Sequence, residues 1–515
     1  MNSKNLKEEK RSVFRLDAIG DVFGMPIDIK LFDTLSRRKV RINNRVVRAY
    51  FCGPTVYDVP HLGHARAYVV FDVLIRLLKY LGYDVKYVRN VTDVDDKIIR
   101  RAHEENRSPF EIAERYYYEF YDAMKALNVL PPNVEPRASA HIPEIIEFVR
   151  GLIEKGYAYE TKDGVYFRVR RFKGYGKLSK RNIEEMRAGA RIEPSPYKED
   201  PLDFALWKKA KPGEPSWPSP WGEGRPGWHI ECSAMVLKHL GETIEIHGGG
   251  EDLIFPHHEN EIAQSEALTG KPLAKIWFHV GLLTIREEKM AKSLGNIVTI
   301  KNALEQYDSE TIRYFLLSVH YRRQLEFSWK KLKLAEKKLD EIYRALFMAE
   351  FSPPEKHGRL AEEVFMEKVN DYKRRFLIAL ADNLNTVEAI RILHEISRWV
   401  MRDYDTFSNK QLVDIAKLIR ELGGIMGILQ QSIDQRILEK KIRGKEVGVI
   451  LPPNYMSSDA KISRKLLDLI IDIRAKLRNR KIYDLADEIR EKLRQLGIIL
   501  EDTKDGTRFI ITSIE

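Results

Sequence analysis

Four side chains of this sequence, two thiols, an imidazole and a carboxylate, are of the types that bind zinc together. They are Cys52, Cys232, His257 and Glu261, and the first two are the only cysteines among 515 residues. Because His257 and Glu261 are four residues apart, a helix places both on one face. Zinc accepts thiolate sulfur, imidazole nitrogen and carboxylate oxygen in one site. The alternative is two buried structural thiols beside an ordinary polar helix, but both cysteines lie in motif-rich stretches, which favours zinc.

A second candidate site begins at His61 and His64, which follow a strand predicted over 46–52. Apolar residues at helical spacing predict a helix over 63–81, and Gly82 is a stop signal. The amino end of a helix offers free N–H groups and the positive end of the helix dipole, both of which favour phosphate. The tetrapeptide HLGH is a weak signal by itself, and its position makes it a candidate nucleotide site.

Far downstream, residues 289–293 read KMAKS. Lys289 and Lys292 on a short loop can neutralise the β- and γ-phosphates as charge builds there during attack at the α-phosphate. Taken alone, the stretch is more simply interpreted as an exposed basic loop. The combination of HLGH near the amino end and KMAKS downstream resembles the class I aminoacyl-tRNA synthetases.

Within that class, the remaining motifs resemble the cysteinyl-tRNA synthetases. The matching segments are 52–66, 88–98, 189–208, 215–235, 246–267 and 289–296. The resemblance implies an α/β fold with a Rossmann-type parallel-sheet catalytic domain that is split by an inserted connective segment. It also implies an α-helical anticodon-binding region and a small C-terminal domain after the catalytic domain.

The resemblance assigns roles to individual positions, starting with Cys52, Cys232, His257 and Glu261 as zinc ligands. Four protein ligands make a closed site, so a substrate thiolate must enter as a fifth ligand or loosen one of the four, and Glu261 is the one expected to yield. The positions implied for catalysis and ATP binding are His61, His64, Lys289, Lys292 and Ser293. Those implied around adenosine are Gly248, Gly249, Gly250 and Asp252, and those lining the amino-acid pocket are Gly53, Thr55, Thr92, Trp228 and His247. Ala291 replaces the usual serine of the lysine loop, which we expect to be tolerated because the lysines carry the charge.

The implied activity is ATP-dependent ligation of L-cysteine to tRNA(Cys) through a cysteinyl-adenylate, with one Zn²⁺ per chain and Mg²⁺ bound with ATP. A purely hydrophobic pocket separates cysteine from serine poorly, because small groups differ there by only about 1–3 kcal/mol. Zinc lowers the pKa of a thiol and binds the thiolate, whereas an alcohol resists deprotonation. The metal is therefore expected to select the amino acid.

We expect five regions along the chain: a polar N-terminal extension (1–27), the catalytic domain (28–310, with the connective segment at about 128–230), the helical region (311–429), a linker (430–458) and the C-terminal domain (459–515). Further strands are predicted at 27–35, 85–91 and 242–247, helices at 97–127 and 142–156, and a loop-rich stretch at 157–230. Asp505 and Gly506 predict the turn of a final hairpin. Arg508 and Phe509 on that hairpin are candidates for contact with an anticodon base, or simply lie on a solvated edge strand. Asp93, Asp95 and Asp96 are interpreted mainly as structural.

Bulk composition restricts the class of protein. Hydrophobic residues make up 43% and charged residues 32%, no apolar run is long enough to cross a membrane, and the first 25 residues lack a secretory signal. Two cysteines provide no disulfide framework, which favours a cytoplasmic location. The net charge of +11 favours polyanionic partners. No stable protein partner is implied.

Parts of the sequence also suggest three other classes of protein. A zinc metalloprotease is suggested by His258 and Glu259, but Ile262 occupies the position of the second histidine of an HExxH motif. Ligases that join activated cysteine to an amino sugar share the catalytic motifs but lack a full anticodon-binding region, and here a long basic segment follows KMAKS. A catalytically inactive tRNA-binding scaffold is disfavoured because every catalytic motif is intact.

Overall fold

The computed structural model describes residues 27–182, 195–285, 288–289, 297–353, 356–445, 469–478, 480, 482–495, 498–503 and 506–511. The predicted N-terminal extension lies almost wholly outside these ranges. The chain divides into two compact units, Met1–Ile450 and Leu451–Glu515. Within the described ranges, no helix is both long enough and apolar enough to cross a bilayer.

The first unit combines short strands with longer helices. Its strands are β1 (Lys30–Asp33), β2 (Arg38–Arg41), β3 (Val46–Phe51), β4 (Asp84–Arg89), β5 (Ala158–Glu160), β6 (Gly164–Phe167), β7 (Phe204–Lys209), β8 (Gly224–Pro226), β9 (Ile244–Gly250), β10 (Ala274–Val280), β11 (Leu283–Ile285), β12 (Glu288–Lys289) and β13 (Leu325–Glu326). Its α-helices are α1 (Leu62–Tyr80), α2 (Asp96–Glu105), α3 (Pro109–Ala126), α4 (Ile142–Glu154), α5 (Trp228–Leu240), α6 (Glu259–Thr269), α7 (Ile300–Gln306), α8 (Ser309–Leu317), α9 (Trp329–Glu350), α10 (Glu362–Ala381), α11 (Thr386–Asp403), α12 (Asn409–Met426) and α13 (Ile433–Ile442).

Four parallel strands form the central sheet, in the order β10-β9-β3-β4. Helix α1 connects β3 to β4 and contacts both β4 and β10, so that it covers one face of the sheet. The chain runs from β3 to β4 on one side and resumes with β9 on the other side of β3. Such a reversal opens a crevice at the carboxyl ends of the two central strands. The predicted Rossmann-type α/β sheet is confirmed, and the crevice lies at the ends of β3 and β9.

The helix predicted over 97–127 is in fact two helices, α2 and α3. Asn106 ends α2 in the left-handed backbone conformation, with φ at 51°, which asparagine tolerates better than most residues. Ser108 caps α3 by accepting from the backbone N–H of Glu111, and Pro109 lies in the first turn. These stop and start signals are present in the sequence and divide the helical stretch in two.

The stretch predicted to be loop-rich, 157–230, contains a second sheet. Strands β5, β6, β7 and β8 pair antiparallel in that order. They are only three to six residues long, and the Gly- and Pro-rich connections between them dominate the composition, which hides the strand pattern. The fully buried Trp207 anchors this sheet in an apolar cluster that includes residues of α4 and α5.

Helices α9, α10, α11 and α12 pack against one another after the catalytic domain, where the sequence predicts a helical region. Trp399 of α11 lies between two other aromatic side chains of this bundle. Its ring stacks on Phe365 of α10 at a centroid distance of 5.9 Å and meets Phe407 edge to face at 5.0 Å. The bundle therefore has an apolar core of its own.

The predicted linker over 430–458 begins with a further helix, α13. Arg436 on this helix is fully buried and pairs with Asp308 and Asp340 at 2.6 and 3.0 Å. Arg436 and Lys440 are thus buried partners of carboxylates, and a helix occupies 433–442 where the sequence analysis expected a linker. Residues 446–458 lie outside the described ranges.

The second unit contains helical residues at 469–478, the helix Tyr483–Gln495, and two antiparallel strands, Ile498–Thr503 and Gly506–Ile511. The strands form the predicted hairpin, although Asp505 of its turn is not among the described residues. Arg508 and Phe509 lie on the second strand, opposite Glu501 and Leu500. Contact of either residue with an anticodon base stays a prediction.

A buried ion pair joins α1 to the helical region. The Asp72 carboxylate on α1 accepts from the Arg313 guanidinium on α8 at 2.6 Å, and neither side chain is exposed to solvent. Arg313 also donates to the backbone carbonyl of Met426 at the end of α12. Asp72 accepts in addition from the backbone N–H of Leu130 at 2.8 Å. One pair of charges therefore connects three parts of the first unit.

Replacing Asp72 by alanine is expected to lower the free energy of unfolding by about 3–5 kcal/mol, because Arg313 stays buried without its partner. Denaturant unfolding followed by circular dichroism measures the change. Lys271→Ala is the control, since Lys271 and its partner Glu242 are both exposed and the expected loss is below about 1 kcal/mol. Equal losses in the two variants would contradict the importance of burial.

Candidate functional site

The four predicted zinc ligands meet at the carboxyl ends of β3 and β9. Cys52 directly follows β3, and Cys232 lies on α5. His257 lies in the irregular turn Ile254–His258. Glu261 lies in the first turn of α6, four residues after His257. All four side chains are buried. The structure therefore brings together residues that are far apart in the sequence.

The donor atoms of Cys52, Cys232, His257 and Glu261 all lie within 4.8 Å of one another. The Oε1 atom of Glu261 is 3.0 Å from His257 Nε2 and 3.7 Å from Cys52 Sγ. A tetrahedral zinc ion, with bonds of about 2.0–2.3 Å, separates its ligand atoms by comparable distances. Two thiols with an imidazole and a carboxylate suit zinc, whereas magnesium prefers oxygen ligands. These residues fit a zinc ion.

A second group of donors overlaps with the first, since Cys52 and Glu261 also lie within 4.8 Å of His247 and His258. His247 Nε2 is 2.7 Å from the other carboxylate oxygen of Glu261, Oε2, and the His247 ring stacks on Trp277 at 4.6 Å. This contact fixes the carboxylate of Glu261, as hydrogen-bonding partners of metal ligands commonly do. The group with two thiols is the better zinc site, because thiolate is the softer ligand.

His258 belongs to a chain of buried hydrogen bonds that ends at Cys52. Its Nε2 is 3.2 Å from Cys52 Sγ, and its Nδ1 is 2.8 Å from His279 Nε2. His279 Nδ1 lies 2.8 Å from the hydroxyl of Thr34. Donation in one direction, from Thr34 through His279 and His258 to the sulfur, satisfies every group in the chain. Its end point is a hydrogen bond between His258 and the sulfur of Cys52.

Burial and hydrogen bonding set the charges of the cluster. Burial raises the pKa of the Cys52 thiol, whereas a hydrogen bond with Cys52 lowers the pKa of Cys232, so the two sulfurs share one proton. Burial alone would raise the pKa of Glu261, but His247 and His257 hold it well below its usual range. A carboxylate beside a thiolate gives the cluster the negative charge that a divalent cation requires.

Side chains predicted to line an amino-acid pocket lie beside the cluster. The ring of Trp228 is 4.3 Å, centroid to centroid, from that of His257. Thr55 and Thr92 are paired across two adjacent loops as a parallel bridge. His247 contacts the cluster directly, as shown above. Trp228 and His247 therefore contact ligands of the cluster, and Thr55 is paired with Thr92 through the backbone.

Two further residues, which the sequence analysis did not single out, connect the two thiol-bearing segments. Asn90 Oδ1 accepts from the backbone N–H of Gly53 at 2.7 Å, and Asn90 Nδ2 donates to the Thr92 hydroxyl at 3.3 Å. That hydroxyl donates to Glu231, which precedes Cys232, at 3.1 Å. A Cβ on Gly53 would lie 1.5 Å from the carbonyl oxygen of Asn90, so only glycine fits there. Asn90 and Glu231 lie inside the segments 88–98 and 215–235 that resemble the family, and this position was the signal by which the sequence could have pointed to them.

His61 and His64 cap the amino end of α1. His61 Nδ1 accepts from the backbone N–H groups of Gly63 and His64 at 3.1 and 3.4 Å, and His64 Nδ1 accepts from the His61 N–H at 3.3 Å. The two rings stack at a centroid distance of 3.8 Å. Because Nδ1 accepts in both rings, each neutral imidazole carries its proton on Nε2. N–H donors at the amino end of a helix suit a phosphate group.

The glycines predicted near adenosine end the central strand β9. Gly248, Gly249 and Gly250 are its last three residues, and Asp252 lies in the turn that follows. A Cβ on Gly248 would lie 2.5 Å from the carbonyl oxygen of Phe278, so glycine allows β9 and β10 to approach. These glycines thus lie at the carboxyl ends of the strands, where the cluster also lies.

The lysine loop is described only at its start. Lys289 lies on β12, and Lys292 and Ser293 are outside the described ranges. After the loop the chain returns to the paired histidines, since Thr299 bridges His61. Thr299, six residues after that motif, therefore lies beside the start of α1.

The three aspartates interpreted as structural do hold neighbouring elements in place. The Asp93 carboxylate accepts from the backbone N–H and the hydroxyl of Ser139 in the turn before α4. The Asp95 carboxylate caps α2. Asp96 pairs with Lys208, at 2.9 Å, and with Arg225, both of which belong to the inserted sheet. These pairs fasten the insert to α2 beside the pocket.

Sequence comparisons identify similar proteins over nearly the whole chain. Residues 38–337 match the family model for the class I (C) tRNA synthetase catalytic domain, and residues 375–430 match the DALR domain. A cysteine–tRNA ligase of Thermococcus gammatolerans is 47% identical over 93% of this chain and 98% of its own length. A cysteine–tRNA ligase of Persephonella marina is 45% identical over 94% of this chain and 99% of its own length.

Solved structures show the same fold at lower identity. Methionyl-tRNA synthetase of Mycobacterium tuberculosis, in complex with methionyl-adenylate, matches with a TM-score of 0.57 and 18% identity. The match covers 80% of this chain and 99% of that protein. At this identity the likeness concerns the fold alone.

Cys232→Ser is expected to remove bound zinc while leaving the protein folded, because one of two soft ligands is lost and the helix α5 is otherwise unchanged. Zinc content by mass spectrometry and far-UV circular dichroism measure the two effects. His103→Gln, which replaces an exposed histidine of α2, is the control and should keep the metal. Full zinc content in Cys232→Ser would contradict the assigned ligand set.

Proposed function

This chain belongs to the cysteine–tRNA ligase family of class I aminoacyl-tRNA synthetases, and we propose that it joins L-cysteine to tRNA(Cys) through a cysteinyl-adenylate. The observation that carries the proposal is the buried cluster of both cysteines with His257 and Glu261. It lies at the sheet edge that also carries the histidine pair of α1. A thiol-selecting site and a phosphate-binding helix end are thus side by side.

The first step joins the carboxylate of cysteine to the α-phosphate of ATP. A carboxylate oxygen attacks the phosphorus in line, the bond to the bridging oxygen breaks, and pyrophosphate leaves with that electron pair. His61, His64 and the amino end of α1 supply N–H donors where negative charge builds. Lys289 and Lys292 are assigned to the leaving pyrophosphate, and Mg²⁺ is expected with the nucleotide.

In the second step, the 3′-terminal ribose hydroxyl of the tRNA attacks the carbonyl carbon of the adenylate. AMP leaves with the bonding pair, and the hydroxyl proton passes to the leaving phosphate. Positioning and charge stabilisation are sufficient for such a transfer, so no covalent intermediate with the enzyme is required. Gly248, Gly249, Gly250 and Asp252 are assigned to the adenosine.

We assign Cys52, Cys232, His257 and Glu261 as the ligands of one Zn²⁺. When bound, zinc lowers the pKa of a thiol and favours sulfur over a hydroxyl oxygen, which separates cysteine from serine. The chain contributes the shape of the site: Trp228 packs on His257, and Gly53 keeps the segment after Cys52 against Asn90. A pocket of this kind needs no second domain for removing mischarged serine.

The helical region and the second unit are assigned to the tRNA. Ligases that act on an amino sugar lack a full anticodon-binding region, whereas residues 375–430 match the DALR domain and the relatives align over 93% of this chain. This supports tRNA as the acceptor. An inactive scaffold is disfavoured because the cluster and the paired histidines are both assembled, and two buried thiols favour a cytoplasmic, reducing compartment.

Incubation with labelled cysteine, ATP, Mg²⁺ and total tRNA is expected to yield acid-precipitable label that ribonuclease removes. Labelled serine is expected to give none, because its hydroxyl resists deprotonation. Cysteine-dependent pyrophosphate exchange without label in tRNA would instead indicate a small amine as the acceptor. Label from serine as efficient as from cysteine would contradict selection by the metal.

Lys292→Ala is expected to slow cysteinyl-adenylate formation by about 10²–10³-fold, since one charge on the leaving pyrophosphate is lost. The KM for cysteine should change little, because the role assigned to Lys292 concerns the pyrophosphate and not the thiol. Pre-steady-state adenylate formation and steady-state exchange measure the two quantities. Lys271→Ala, at an exposed position of the first unit, is the control. Equal effects of Lys292→Ala on rate and on cysteine binding would contradict the role.

A further inference from the structure

An exposed lysine lies over two aromatic rings at the rim of the pocket. Lys97 is in the first turn of α2, and its Nζ is 5.4 Å from the ring centroid of Tyr57 and 5.7 Å from that of Trp228. The two rings belong to different parts of the sequence and meet beneath one ammonium group. Such an arrangement places a positive charge above a surface that is otherwise aromatic.

These rings mark the boundary between the two halves of the site. Trp228 packs against His257 of the metal cluster, at a centroid distance of 4.3 Å. Tyr57 lies on the segment that connects the end of β3 to His61 at the start of α1. The ammonium of Lys97 therefore lies over one ring that packs on the metal cluster and one ring that precedes the histidine pair in the sequence.

The charges of Lys97 and Asp95 attract each other, but within the described part of the chain the two side chains form no ion pair. The carboxylate of Asp95 accepts from the backbone N–H of Lys97 at 2.9 Å as the helix cap. That of Asp96 is held by Lys208 and Arg225. Among the described residues, Lys97 Nζ makes no ion pair, and its contacts are the two aromatic faces. A cation–π contact at an exposed position is weak, so a phosphate oxygen can take its place.

We propose that Lys97 binds a phosphate oxygen of the reacting substrates and positions it over the Tyr57 and Trp228 rings. Phosphate is the fitting ligand because a flexible ammonium acts as a point charge, without the geometric demand of a guanidinium. Two sources offer this chemistry: the α-phosphate of the cysteinyl-adenylate and the last phosphodiester at the 3′ end of the tRNA. The assignment rests on the proposed function, since both sources belong to that reaction.

Lys97→Met tests the proposal, because methionine keeps an unbranched apolar chain over the rings and removes the charge. Two rates are measured on the zinc-loaded, full-length protein: cysteine-dependent pyrophosphate exchange, and single-turnover transfer from preformed adenylate to tRNA. We expect at least one rate to fall by about 10-fold or more. A fall in exchange assigns the α-phosphate. A fall confined to transfer assigns the phosphodiester of the tRNA.

Lys97→Arg keeps the charge and is expected to retain both rates within about 3-fold. Arg107→Met is the matched control, since it removes an exposed charge beyond the other end of α2, about 15 Å away for a helix of this length. It should leave both rates unchanged. Zinc content and thermal midpoint, measured for every variant, establish that each protein is folded and loaded.

Unchanged exchange and transfer in Lys97→Met would overturn the proposal. Equal losses in Lys97→Met and Lys97→Arg would overturn it as well, because they would indicate packing rather than charge. Failure of the unaltered protein to exchange pyrophosphate with cysteine would contradict the proposed function itself. The two kinds of failure are therefore distinguishable.

Discussion

The arrangement of the site depends on a buried guanidinium that donates hydrogen bonds to backbone carbonyls. Arg66, in the second turn of α1, donates to four of them: those of Gly281, Leu316, His320 and Arg323. It is 1% exposed, and burial lowers its pKa to about 10, so it stays charged at neutral pH. The carbonyls lie after β10 and around α8, which fixes α1 against the segments on both sides of the lysine loop. These hydrogen bonds therefore also fix the position of the histidine pair at the start of α1.

The metal cluster depends on a similar use of buried polar groups. Thr34 lies just after the first strand, and the hydrogen bonds that begin there pass through two histidines to Cys52. Buried imidazoles without partners would be costly, and here both ring nitrogens of His258 and of His279 have one. The cost of burying polar side chains is offset because they hold a thiolate and a carboxylate at fixed positions. The cluster is thus part of the core as well as the place where chemistry is expected.

Much of the site could be predicted from the sequence because its chemistry demands particular residue types. Cys52, Cys232, His257 and Glu261 are recognisable since few side chains bind zinc, and their motifs are specific. Asn90 and Glu231 were missed because amides and carboxylates have many uses, and their hydrogen bonds depend on the folded geometry. A motif can indicate a metal ligand, but it does not show which residue holds that ligand in place.

For the fold as well, some features were predictable from the sequence and others were not. The parallel sheet was predictable because strand and helix alternate with clear periods. The break at Asn106 was missed because the whole of 97–127 was interpreted as one helical stretch. The sheet within 157–230 was missed because very short strands leave little periodicity. Arg436 looked like part of a solvated linker, since a sequence does not reveal that a charged side chain will find two carboxylates inside the protein.

Both thiols of the chain belong to the cluster, and this has a practical consequence. In most proteins of this size, cysteines at several positions react with alkylating or oxidising reagents, and the products must be located one by one. Here any modified sulfur of the thiol type reports on a single place. A disulfide within one chain, if one forms, joins the segment after β3 to α5. Redox chemistry at cysteine is thus confined to the buried cluster in which we propose that the substrate thiol is recognised.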